Sequence, residues 1–152
     1  MRLWHYELIP VLPRKQLLAQ WRECCAIASN IANKGTPNHV LVNKVLDYPT
    51  IHFISYINEI LYEMNRRGYK VNQKSYERCV ENLNKGKEHF WNYDGGIVIN
   101  GNVFPDWHNN RYFIQCCCNL QEKYDCGAIS KVEWSKIESC FENKIGYTIY
   151  KI

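Results

Sequence analysis

The stretch Leu17-Leu18-Ala19-Gln20-Trp21-Arg22-Glu23-Cys24-Cys25 reads as an amphipathic α-helix and sets the class of the fold. Leu17, Trp21, Cys24 and, further on, Ala28 recur at helical spacing on one face, flanked by Leu18 and Cys25. Pro13 suits the first turn of such a helix, where its missing N–H is not needed. Arg22 and Glu23 point away from the apolar stripe, roughly 100° apart on the wheel. Arg22 then falls near Lys15, and Glu23 near Gln16 and Gln20. The helix therefore has a buried side and a chemically active, solvent-facing side.

Working outward, Thr36-Pro37 reads as a cap and a first-turn proline opening a short helix through Val40, Leu41 and Val45 that stops before Pro49. The clearest periodicity follows: Ile51 or Phe53, then Ile57, Ile60 and Met64, with Arg66-Arg67-Gly68 as a C-terminal signal. Residues 73 to 83 predict another helix, with Tyr76, Cys79, Val80 and Leu83 inward. Residues 84–107 break the pattern. There, Ile97-Val98-Ile99-Asn100-Gly101-Asn102-Val103-Phe104 predicts a hairpin around an Asn-Gly turn. Helical phase resumes near Asn109, with Tyr112, Cys116 and Leu120 in register, Tyr124 as a further candidate, and Gly127 as terminator. Ser130-Lys131-Val132-Glu133 is a capping box for a last helix through Trp134, Ile137 and Phe141. The prediction is a mainly α, compact single-domain helical fold spanning 1–152, with a small β-hairpin insertion within 84–107.

A length of 152 residues suits one domain that needs no covalent staples. Eight cysteines include the runs Cys24-Cys25 and Cys116-Cys117-Cys118, with no signal peptide, so a reduced, cytoplasmic protein is expected. No apolar run approaches the ~20 residues of a membrane span. The net charge of +4 is compatible with a polyanionic partner but common among ordinary enzymes.

The candidate chemistry lies at the start of the chain. An α-amine, unlike a lysine amine, is partly neutral and hence nucleophilic near neutral pH. The bulky Arg2 disfavours removal of the initiator, so the candidate amine belongs to Met1. Together with Arg2 and the Arg22-Glu23 pair, Leu17-Leu18-Ala19-Gln20-Trp21-Arg22-Glu23 resembles the Leu-x-Ala-x-aromatic-Arg-Glu motif of the pyrimidine-dimer DNA glycosylase family, the phage endonuclease V type. Glu59 to Val71, with Arg66-Arg67-Gly68-Tyr69, is similar to the central helix of that family. Asn119 to Tyr124 with Trp134 is a weaker echo of its C-terminal region. The opening Leu-Trp-His and Leu12-Pro13-Arg14 look closer to a bacterial branch.

The resemblance implies a DNA repair glycosylase with associated abasic-site lyase activity, acting on damaged double-stranded DNA without a cofactor or metal, as a monomer. Met1 and Glu23 take the catalytic roles, and Arg2, Arg22 and Lys15 bind DNA. Ala26 stands where the family carries a further basic residue.

Two alternatives stay open. One is a non-catalytic helical nucleic-acid-binding protein. The other is a zinc-binding structural or regulatory protein using the cysteines with His5 or His39, although no Cys-x-x-Cys spacing occurs. Trp91 and Trp107-His108 fall in the insertion and read as surface loop residues.

Overall fold

The computed structural model describes residues 1–92 and 102–149. Among these the regular secondary structure is helical, with no strand: 3-10 segments at Tyr6–Val11, Val42–Asp47 and Lys87–His89, and helices α1 (Arg14–Lys34), α2 (Thr50–Arg66), α3 (Gln73–Gly86), α4 (Asn110–Asp125) and α5 (Lys131–Ile145).

Helix α1 begins directly after Pro13 and ends where Gly35 enters the left-handed region at φ 76°, its N–H donating to the Ile31 carbonyl. Its buried stripe is Leu17, Trp21, Cys24, Ile27, Ala28 and Ile31, each contributing through removal of apolar surface from water. α1 packs mainly on α3 and also on α2. The α1–α3 approach is close at Gly86, where a Cβ would stand 3.1 Å from the Ala32 backbone nitrogen, so only glycine fits without movement. α5 opens with the expected capping box at Ser130 and Glu133 and packs on α4 and on segment 6–11.

Four expectations need correction. Thr36-Pro37 starts no helix, because local side-chain bonds satisfy the backbone differently: Thr36 Oγ1 accepts from Asn38 N–H, and Asn43 Oδ1 from His39 N–H. Asn38 adopts φ 58°, the 3-10 segment begins only at Val42, and Val40 is exposed. On α3, Cys79 and Leu83 are buried, but Tyr76 and Val80 face solvent. The Asn100-Gly101 turn and most of the predicted hairpin lie outside the described residues. The described part, Asn102 to Phe104, is not strand, and α3 extends to Gly86 inside the expected insertion.

The fourth correction concerns Trp107 and His108, which are core residues rather than surface ones. Phe104 turns the chain at φ 48° while fully buried, its N–H donating to His52 Nδ1. The turn delivers His108 to the N-terminal segment. His108 Nδ1 accepts from Tyr6 N–H, and its carbonyl accepts from His5 Nε2, while His5 Nδ1 accepts from Glu7 N–H. These bonds define neutral imidazoles. Burial accordingly holds His5 down to about 4 and lowers His108 and His52 as well.

Candidate active site

The N-terminal residues lie across α1, and their backbone polar groups find specific partners. Arg2 N–H faces Glu23 Oε2 at 3.4 Å, and the Arg2 carbonyl accepts from Gln20 Nε2 at 2.8 Å. The Leu3 carbonyl accepts from the Tyr112 hydroxyl at 2.6 Å. Trp4 N–H donates to Gln20 Oε1 at 2.8 Å, and the Trp4 carbonyl accepts from the Tyr56 hydroxyl at 2.7 Å. Burial pushes both tyrosines well above their ordinary range, so both hydroxyls keep the proton they donate. Helices α1, α2 and α4 thus each supply a clamp to one short segment of backbone.

Covalent geometry keeps the Met1 amine within about 4 Å of the Arg2 nitrogen, and that nitrogen is the one that faces the Glu23 carboxylate. Met1 is exposed and Glu23 half-buried. Glu23 also accepts from Gln20 Nε2 at 3.2 Å. It opens onto a groove of about 510 Å³ lined by Trp4, Lys15, Gln16, Arg22 and Lys123 as well. Of these, Arg22 and Lys15 are exposed and make no hydrogen bond or ion pair with a described residue, which leaves their charge available to an anion.

Arg2 is placed differently from its two basic companions. Its guanidinium is half-buried, 5.5 Å from the Trp4 ring centre and 5.8 Å from that of Tyr112, and Nη1 donates to Cys116 Sγ. Its charge is spent partly on those ring faces.

A larger hollow of about 750 Å³ lies between Pro10, Val11 and α5. It shares no lining residue with the groove, and its Glu7 and Lys144 pair with each other at 2.7 Å. The groove beside Glu23 therefore has the stronger chemical claim.

The structure brings Lys15, Arg22 and Glu23 to one groove and the Arg2 backbone nitrogen to Glu23, with Met1 one residue before it. It adds Gln20, Tyr56, Tyr112 and Lys123, which sequence reasoning did not select. Gln20 is fully buried rather than solvent-facing, because the N-terminal segment covers that flank of α1. Lys123 carried a signal, since it stands in the weaker C-terminal block of the resemblance.

The family model described as pyrimidine dimer DNA glycosylase matches residues 1–77, half of the 152-residue chain. The chain belongs to the pyrimidine dimer DNA glycosylase family. No curated protein and no solved structure shows significant similarity to it. The family match takes in Arg2, Lys15, Gln20, Arg22, Glu23 and Tyr56, whereas Tyr112 and Lys123 fall beyond it. This member of the glycosylase family thus closes its groove with residues from both halves of the chain.

Among the described residues no group of three or more His, Cys, Asp or Glu is arranged to hold a metal ion. Cys24, Cys79, Cys116 and Cys117 are buried; burial raises the thiols of Cys24, Cys116 and Cys117 above their ordinary range, and a hydrogen bond with Cys25 together with burial raises that of Cys79, as for small packing residues. No helix among the described residues is long and apolar enough to cross a membrane.

Proposed function

We propose that this glycosylase acts on damaged double-stranded DNA through an imine formed by the Met1 amine, and that it cleaves the resulting abasic site by β-elimination. The observation that carries the reading is the approach of Arg2 N–H to Glu23 Oε2 at 3.4 Å, held by clamps from three helices. It supports an amine and a carboxylate acting together at one groove that is rimmed by the cations Lys15 and Arg22.

In this mechanism the neutral amine attacks C1′ as the glycosidic bond breaks, and the base leaves with the bonding electrons and gains a proton. Glu23 stabilises the positive charge that develops on the sugar. Opening of the C1′–O4′ bond gives the imine. Glu23 then removes a C2′ proton, and the electrons expel the 3′ phosphate oxygen. Hydrolysis of the imine restores the amine.

Arg22 and Lys15 bind the flanking phosphates, and Lys123 extends that set. Arg2 presents its remaining guanidinium N–H groups toward the same backbone while the aromatic rings hold it. The nucleotide is extruded from the stack, because C1′ and its base are hard to reach within a duplex. No cofactor enters the scheme, and the enzyme acts as a monomer.

Borohydride reduction in the presence of abasic-site duplex tests this reading. The expected product is a covalent adduct whose modified peptide begins at Met1. An adduct through an internal lysine refutes the mechanism. DNA binding with no adduct favours the non-catalytic nucleic-acid-binding alternative.

A further inference from the structure

Gln20 occupies a position where packing alone calls for an apolar side chain. It is fully buried on α1, and its carboxamide commits both N–H groups and its oxygen to hydrogen bonds. Nε2 donates to the Arg2 carbonyl at 2.8 Å and to Glu23 Oε2 at 3.2 Å, while Oε1 accepts from Trp4 N–H at 2.8 Å and faces the Tyr56 hydroxyl at 2.9 Å. The amide cannot be turned over. Trp4 N–H requires an acceptor and the Arg2 carbonyl a donor, so the surroundings fix which end is oxygen. One nitrogen thereby references both the backbone next to the amine and the carboxylate.

We propose that Gln20 is a positioning residue that sets the separation between the Met1 amine and the Glu23 carboxylate. The role rests on the imine-forming reading above. Losing the amide frees the Arg2 carbonyl and Trp4 N–H from α1, so the N-terminal segment shifts while Glu23 stays on its helix. Tyr56 and Tyr112 still hold the Trp4 and Leu3 carbonyls, so the segment remains attached and changes its register. Displacement of a reacting group by ~1 Å can cost on the order of 10²-fold in rate.

The test compares Gln20→Met and Gln20→Glu, each with and without one leucine inserted between Met1 and Arg2, a residue bulky enough in second position to keep Met1 in place. Adduct formation with abasic duplex and borohydride is followed in single turnover at saturating enzyme. Affinity for the same duplex is measured separately, and folding is followed by circular dichroism. Gln20→Met is expected to slow adduct formation roughly 10- to 100-fold while affinity stays within about two-fold, the pattern of a lost positioning interaction. Gln20→Glu keeps the size and the acceptors but offers at most one donor, so it is expected to slow the reaction by a similar factor.

The leucine insertion discriminates further. It should slow the otherwise unchanged protein but add little in the Gln20→Met background, because the register that it disturbs is already lost. Losses that multiply independently, a loss confined to affinity, or unchanged rates in the folded variants each overturn the proposal. If Gln20→Met does not fold, Gln20→Glu with and without the insertion decides the matter by the same criteria. Absence of a Met1 adduct in the unmodified protein overturns the underlying reading as well, whereas a normal adduct with unaffected Gln20 variants overturns the positioning role alone.

Discussion

Acidification should destabilise this protein well before its carboxylates are protonated, and the cause is His5. The ring is 1% exposed, its Nδ1 already accepts the Glu7 N–H, and the Lys144 ammonium further disfavours a second proton. His108 stacks 5.1 Å away and is itself kept neutral by burial and by His5. An imidazole with an ordinary value of 6.5 in the unfolded chain and about 4 in the folded one has a depressed folded value. Above pH 6.5 both states are neutral and stability is at its full level. As the pH falls from 6.5 toward 4, the unfolded chain takes up the proton and the folded one does not, so stability drops by about 1.4 kcal/mol per pH unit. The loss from His5 amounts to roughly 3 kcal/mol, and His108 and His52 add to it in the same direction. Glu63 and Glu133 lie below the ordinary carboxylate value of 4.5, so their loss begins only at lower pH. Urea unfolding at intervals between pH 7.5 and 4 should show the decline, with proton uptake on unfolding near pH 5.5. A free energy that stays flat from pH 6.5 to 4.5, or a His5 resonance titrating near 6.5 in the folded protein, would refute the reasoning.

Replacing Glu23 by Gln should leave folding and duplex binding intact while lowering base excision by at least ~100-fold, the lower end of acid–base contributions; normal turnover would make Glu23 an ordinary half-buried carboxylate. Replacing the exposed Arg22 by Gln should reduce the slope of log affinity against log salt by about 0.9, one phosphate contact, and also slow adduct formation on abasic DNA. An altered slope with an unaltered rate at saturating enzyme would limit Arg22 to anchoring, and no change in either would move the DNA to another face.

The parts of the fold legible in the sequence are those whose causes are local. The stripe of α1, the phase of α2 through Phe53, Ile57, Ile60 and Met64, and the Ser130–Glu133 box each depend on residues within a few turns of one another. Thr36-Pro37 misleads because Asn43, seven residues beyond Thr36, captures the backbone that a helix there would have used. The same distinction runs through the candidate site. Lys15, Arg22 and Glu23 share one helix, and their common groove follows from its pitch. Gln20 reads as exposed because nothing in α1 reveals that residues 2–4 cover it. Tyr112 joins the site from 109 positions beyond Leu3, a contact no periodicity can announce. The burial of Trp107 and His108 likewise depends on the left-handed turn at Phe104, which neither composition nor spacing suggests.

The clamps on residues 2–4 also fix when the site comes into being. Their partners stand 16 to 109 positions away in sequence, so each bond forms only after a large loop has closed. Contacts of such long range form slowly, whereas turns of helix form within microseconds. During folding, α1 therefore presents Glu23 to solvent before the opening segment docks against it. The reverse order applies on loosening: the segment can detach while α1 persists, leaving a protein that is helical by spectroscopy yet has its carboxylate without the neighbouring backbone. Assembly of the groove is thus a late event that reports on the completed fold, because one face depends on α1, α2 and α4 having all arrived.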